Sequence, residues 1–259
     1  MQIREILEKL SKGSISIDQA EKLLKLDAIE EVEGFARIDI SRQLRKGVPE
    51  IILAEGKVPE HTAKIVAKVL ARNGSVMVSR VDETHEKAIK KQLPKGVICE
   101  KNGLARILVL RLKGAEKQKP AGKVGIITAG TSDIPVAEEA KVVLNEMGCK
   151  VITTYDVGVA GIHRLFPSIK QMIEEDVDAI VAVAGREGAM PTIIAGLVDV
   201  PVIGVPTSVG YGFGGKGIAA LQSMLQACSL GVATVNIDSG VAAGVIAGLI
   251  AKRAARKRH

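Results

Sequence analysis

A chain of 259 residues, 47% hydrophobic and 25% charged, is long enough for one large or two modest domains and has the balance of a folded globular protein. With 2% aromatics and no Trp, its core must be built from Val, Ile, Leu and Ala, and little is left for stacking on nucleic acid. The net charge of +7 is lopsided: Lys252, Arg253, Arg256, Lys257 and Arg258 supply five of those charges. That run reads as a solvated helix end rather than a nucleic-acid contact.

Cys99, Cys149 and Cys228 stand far apart with no Cys-x-x-Cys, which points to a cytoplasmic protein and away from a disulfide framework or a structural zinc site. The N-terminus is charged from the start, unlike a signal peptide. No apolar run reaches the roughly 18–20 residues of a membrane span without charge, Gly or Pro, so no membrane partner is expected.

In chain order, residues 2–10 and 17–26 have helical spacing around Gly13, with Ser16 and Gln19 placed as a capping box. Phe35–Ile40 and Ile51–Leu53 read as strands, and Pro59–Asn73 as a helix ended by Asn73-Gly74. Ser75–Arg80 reads as a strand, Glu83–Gln92 as a helix, and Val97–Glu100 and Arg106–Leu112 as strands. The polar cluster Glu50, Glu55, Gly56, Lys57 reads first as surface charge. Lys113–Pro120, without apolar periodicity, reads as a linker.

From Lys123 the pattern is regular. Apolar runs Val124–Ala129, Val151–Thr154, Ala179–Ala184, Val202–Val205 and Val232–Ile237 alternate with helical stretches Pro135–Met147, Leu165–Glu175, Pro191–Leu197, Ile218–Ala227 and one starting at Ala242. Near-continuous apolar strands alternating with helices imply a parallel sheet covered on both faces. Right-handed crossovers then gather the strand C-termini at one edge. The expected fold is α/β: a smaller α/β domain over 1–115 and a doubly wound parallel-sheet domain over 116–259.

The polar clusters fall at strand ends, where open α/β sheets bind ligands. Gly130, Thr131, Ser132 and Asp133 open a helix and suit either a phosphate or a plain N-cap. His163 and Arg164 follow the second run; a loop His transfers protons near neutral pH and Arg holds carboxylate or phosphate in a fork. Arg186 and Glu187 sit between Gly185 and Gly188, which let a ligand approach the backbone. Thr207, Ser208, Gly210, Tyr211 and Gly212 follow the fourth run. Cys228 in an apolar helix would ordinarily be an inert small hydrophobe; Gly231, Asn236 and Asp238 nearby in sequence leave room for a reactive thiol. Cys99 and Cys149 read as structural.

Gly130–Val136, Asp156–Arg164, Pro206–Gly212, and Cys228 with Val235–Gly240 resemble the LarB family. The similarity covers nearly the whole chain, including Asp39–Arg42 and Pro49–Lys57. The C-terminal half also resembles, at fold level, the aminoimidazole ribonucleotide mutase/carboxylase (PurE) family. Ser239-Gly240-Val241 and Gly212-Phe213-Gly214 depart from the expected pattern. The resemblance implies a carboxylase and hydrolase of nickel-pincer nucleotide cofactor biosynthesis. Its substrates would be nicotinic acid adenine dinucleotide and CO2 or bicarbonate, and its products pyridinium-3,5-biscarboxylic acid mononucleotide and AMP. It implies Cys228 as the nucleophile that adds to the pyridinium ring, and Asp156, His163 and Glu187 as candidates for proton transfer. Arg164, Arg186, Asn236, Asp238 and the two glycine-rich loops are then candidates for substrate binding. Mg2+ is implied at the pyrophosphate, no organic cofactor is expected, and a homo-oligomer, an octamer by resemblance, is implied, with the apolar, Ala- and Gly-rich C-terminal helix as the candidate for a close subunit contact. The alternatives are an aminoimidazole ribonucleotide mutase/carboxylase and a non-catalytic nucleotide-binding module.

Overall fold

The computed structural model describes residues 3–26, 29–39, 46–115, 118 and 120–256. They form two compact units, one of residues 1–100 with 108–115, the other of residues 101–107 with 116–259.

In the first unit, α1 (Ile3–Ser11) and α2 (Ile17–Leu26) pack against each other. The capping box forms reciprocally: Ser16 Oγ accepts the Gln19 N–H at 3.1 Å, and Gln19 Oε1 accepts the Ser16 N–H at 2.9 Å. Phe35 does not open a strand. It closes a turn between β1 (Ile29–Val32) and β2 (Ala36–Asp39), in which Glu33 and Gly34 both take positive φ, as a tight hairpin twist requires. Of the Asp39–Arg42 motif, residues 40–42 lie outside the described residues.

β3 (Ile51–Leu53), β4 (Ser75–Ser79), β5 (Ile98–Asn102) and β6 (Ile107–Arg111) form a sheet in the order β3-β4-β6-β5. α3 (Pro59–Asn73) ends where expected: Gly74 takes φ 73° and donates to Leu70 O. Asp82 caps α4 (Glu83–Gln92), accepting the His85 N–H at 2.9 Å. That bond, the Thr84 hydroxyl and the His85 ring hold the Asp82 carboxyl well below the usual carboxylate range. Of the polar cluster around β3, Glu55 meets Arg80 at 2.7 Å and Lys57 Nζ donates to Leu53 O at 2.6 Å, whereas Glu50 is buried and not a surface charge.

The second unit holds a wholly parallel sheet of β7 (Lys123–Thr128), β8 (Lys150–Thr154), β9 (Ala179–Ala184), β10 (Val202–Pro206) and β11 (Val232–Thr234) in the order β11-β10-β9-β7-β8. β9 and β10 are buried along their whole length, as their unbroken apolar sequence demands. α5 (Ile134–Glu146) and α9 (Gly240–Ala255) pack together on one face. α6 (Leu165–Glu174), α7 (Met190–Ala195) and α8 (Ile218–Leu225) bury Leu165, Met172, Met190, Ile194 and Met224 on the other. The fifth run pairs only over Val232–Thr234, shorter than its apolar stretch.

Two readings of α9 change. Its glycines do not form a free face for a second subunit. A Cβ on Gly240 would collide with Val136 O, and one on Gly244 would lie 2.8 Å from Ala140 O, so this stripe is consumed in packing on α5. Lys252 is not solvated either. It is half-buried, donates to Gln118 Oε1 at 3.2 Å, and burial lowers its amine pKa. Lys257 and Arg258 lie outside the described residues. No helix among the described residues is long and apolar enough to cross a membrane.

Candidate active site

β7 and β9 are neighbours although β8 lies between them in sequence, and the helices that follow them cover opposite faces. Their carboxyl ends therefore diverge into a crevice, the switch point where doubly wound sheets bind ligands. A cavity of about 620 Å3 opens there, lined by Gly130, Ser132 and Asp133 after β7, Gly158–Ala160 after β8, Gly185–Met190 after β9, and Val209–Tyr211 after β10. That size suits a small organic ligand, roughly 300–1,000 Å3.

Asp133 anchors the crevice. Its side chain is buried; Oδ1 accepts the Thr207 hydroxyl at 2.7 Å and Oδ2 the Gly130 N–H at 2.9 Å. Burial raises its pKa, and the charge of Asp238 adds to that. Bonds from Thr207, Gly130 and Gly185 oppose it. The carboxylate occupies an N–H that a phosphate on this turn would need, so the turn is a weaker anion site than its sequence suggests. Thr207 is fully buried and ties the β10 loop to the β7 loop. Ser208 N–H donates to Asp238 Oδ1 at 2.8 Å, joining the loops after β10 and β11.

The β8 loop is arranged around a strained aspartate. Asp156 has φ 60°, and its N–H donates to the buried hydroxyl of Thr128 at 3.1 Å. Its carboxylate meets Arg164 Nη1 at 3.3 Å. Gly158 lies against Ala129 O, where a Cβ would sit 2.7 Å away. Tyr155 donates to Glu138 Oε1 at 2.5 Å, and Lys141 donates to the same oxygen at 2.8 Å. His163 and Arg164 lie not on an open loop but at the end of a 3-10 segment, Val159–Arg164, kinked at Gly161. Asp156, His163 and Arg164 are exposed at the rim and do not line the cavity.

Arg186 and Glu187 do line it. Arg186 takes φ 49°, and its Nη1 donates to Tyr211 Oη at 2.8 Å. Thr131, Gly212, Asn236 and Asp238 stand at the same sheet edge outside the lining residues.

Cys228 is elsewhere. α8 stops at Leu225, so the cysteine lies in the loop that enters β11, at the amino edge of the sheet. The crevice opens at the opposite, carboxyl edge of the same sheet. Asn236 and Asp238, its neighbours in sequence, leave from the far end of β11. Within one chain the structure does not bring Cys228 together with Glu187. Its thiol is exposed, whereas Cys149 is buried and burial pushes its thiol up to about 11. Sequence reasoning missed Thr128, Glu138 and Met190, which sit inside apolar or helical runs and carry no polar-cluster signal.

Comparison with known proteins fits this geometry. An AIR carboxylase family model matches residues 123–258, and a LarB/PurE-like N-terminal domain model matches residues 29–113. An uncharacterised protein of Methanocaldococcus jannaschii is 49% identical over 252 residues, 96% of this chain and 97% of its own. The chain belongs to the LarB family. Its C-terminal domain is PurE-like. An N5-carboxyaminoimidazole ribonucleotide mutase of Thermotoga maritima is 32% identical over 49% of this chain and 74% of its own length. The Pyrococcus horikoshii protein of the same name is 35% identical over 51% and 72%. An enzyme of the carboxylase/mutase kind is therefore supported.

The described residues form no complete protein cage for Mg2+; an ion at the pyrophosphate would draw part of its oxygens from the substrate. Among the described residues no group of three or more His, Cys, Asp or Glu is placed to hold a metal ion, and both oxygens of Asp133 are already engaged.

Proposed function

We propose that this LarB-family chain carboxylates nicotinic acid adenine dinucleotide at pyridinium C5 and hydrolyses its phosphoanhydride, releasing pyridinium-3,5-biscarboxylic acid mononucleotide and AMP. The observation that carries the reading is a nucleotide-sized crevice at the switch point, holding Arg186 and Glu187, in a chain that also matches the LarB-type N-terminal domain.

The pyridinium ring is electron-poor, so its C5 does not attack CO2. A thiolate adding to a ring carbon forms a C–S bond and moves an electron pair onto nitrogen, leaving a neutral enamine. C5 then attacks CO2. A carboxylate removes the C5 proton, and the thiolate leaves as the ring regains aromaticity, one hard step divided into easier ones. Water then cleaves the phosphoanhydride. Glu187 is the proton acceptor best placed for this, since it lines the crevice. Asp156 and His163 at the rim stand second.

Cys228 reaches such a ring only from another copy. It is exposed at the amino edge beside exposed Leu225 and Leu230, while Phe213 is exposed in the loop after β10, outside the crevice lining. A head-to-tail contact of these two apolar faces sets the thiol of one subunit over the crevice of the next, and such contacts close into rings. A homo-oligomer is thus part of the mechanism.

Incubation with the dinucleotide and 13C-bicarbonate tests the reaction. The expected result is label in a mononucleotide, released with AMP. Turnover of N5-carboxyaminoimidazole ribonucleotide instead, undiminished by Cys228→Ala, would assign the mutase reaction.

A further inference from the structure

The Arg186–Tyr211 pair bridges the loops after β9 and β10 at the mouth of the crevice. The loop bases are fixed. Arg186 N–H donates to Val209 O at 3.4 Å, and Gly185 lies against Val209 O and Thr207 Oγ1 with no room for a Cβ. The tips are open: Tyr211 is 81% exposed, and nothing lies within 4 Å of a Cβ built on Gly212. The Arg186 guanidinium sits 4.7 Å from the Tyr211 ring centroid while donating to its hydroxyl at 2.8 Å. Arg186 makes no ion pair among the described residues, so this cation faces the cavity with a tyrosine as its side-chain partner. Four of its five N–H donors remain for a ligand.

We propose that Arg186 and Tyr211 form a two-point receptor for the adenylate half of the substrate. The guanidinium takes the phosphate in a fork, and the exposed face of the Tyr211 ring stacks on adenine. Stacking area decides which half binds here: adenine, a two-ring system, offers the Tyr211 face more surface than a single pyridinium ring does. The cation–π contact holds the guanidinium in place before the ligand arrives, which cuts the cost of ordering it. The inference rests on the dinucleotide reading above and deepens it.

The chain has no Trp and two Tyr, so Tyr211 reports on its own surroundings. The difference in tyrosine emission between the parent and Tyr211→Phe isolates it. AMP titrated into the parent is expected to quench that difference signal to saturation. Nicotinic acid mononucleotide at equal concentration is expected to quench it less, and equal quenching by the two would overturn the assignment to adenine. By calorimetry, Arg186→Gln weakens AMP binding roughly ten- to a hundredfold, the loss expected for a charge-assisted bond, while Tyr211→Phe, which keeps the ring, changes it less than threefold. Calorimetric AMP binding without a change in Tyr211 emission overturns the receptor. So does AMP affinity unaltered in Arg186→Gln, or AMP binding that is absent altogether. Carboxylation of the dinucleotide alongside any of these leaves the reaction standing and removes only the receptor. AMP binding with the predicted quench but no carboxylation does the reverse.

Discussion

Glu138 takes three donors on one buried carboxylate: Asn102 Nδ2 at 2.7 Å, Lys141 Nζ at 2.8 Å and Tyr155 Oη at 2.5 Å. Burial alone would raise its pKa, but the bonds from Lys141, Tyr155 and Asn102 together outweigh that and lower it from 4.5. A depressed folded pKa means stability that is present above 4.5 and lost as pH falls through the lower folded value. Glu138→Gln places an NH2 where an acceptor stood, so the variant should lose about 2 kcal/mol at neutral pH. The loss should shrink as the parent is acidified below 4.5, which urea midpoints at both pH values will show. The cysteines differ at the same scale. The Cys149 thiol, moved from 9.0 to about 11, has a roughly hundredfold lower thiolate fraction than an unshifted one. Iodoacetamide should therefore modify exposed Cys99 and Cys228 well before Cys149, as intact-mass spectra over time will report. This is also the scale at which the sequence misled. Cys228 lies close to Asn236 and Asp238 along the chain, but a strand between them carries the two groups to opposite edges of the sheet. Linear proximity says nothing about which end of a strand a residue flanks.

Among elements, the strands of the C-terminal unit were legible because parallel strands buried on both faces must be apolar throughout, and β7, β9 and β10 appear within a residue or so of their expected bounds. The hairpin strand β1 was not legible. Its sequence, Ile-Glu-Glu-Val, carries two charges in four residues, and it is the pairing with β2 that makes it a strand. The order of strands was also hidden, since each apolar run looks alike and only packing places β8 outside β7. The glycines of α9 were read for their smallness, correctly, and assigned the wrong neighbour. Gly244 tests the observed one. An alanine there gains about 1 kcal/mol of helix propensity, but its Cβ would lie 2.8 Å from Ala140 O and 3.0 Å from Ala140 Cα, both backbone atoms that do not give. Gly244→Ala should lower stability by about 1–3 kcal/mol in spite of the propensity gain, seen as a fall in Tm. A rise in Tm would mean that α5 and α9 are not in close contact.

For the whole molecule, the crevice and the thiol stand at opposite edges of one sheet, so the proposed chemistry needs at least two copies of the chain. The crevice itself was legible, since Gly130–Asp133, Arg186–Glu187 and Gly210–Tyr211 were singled out as strand-end clusters and line one cavity. The proposed sharing of the site between subunits has no periodicity in the sequence to mark it. Mixing two inactive variants tests the shared site directly. Cys228→Ala keeps a complete crevice and lacks the thiol; Glu187→Gln keeps the thiol and lacks the acceptor. Each alone should carboxylate the dinucleotide at background rate. When equal amounts are dissociated and reassembled together, about a quarter of the sites in a head-to-tail ring should combine an intact crevice with an intact thiol, and product formation should recover to about that fraction of the parent. Mixed assemblies that exchange subunits, as native mass spectrometry would show, yet remain inactive would contradict the account, as would a Cys228→Ala enzyme that works unaided.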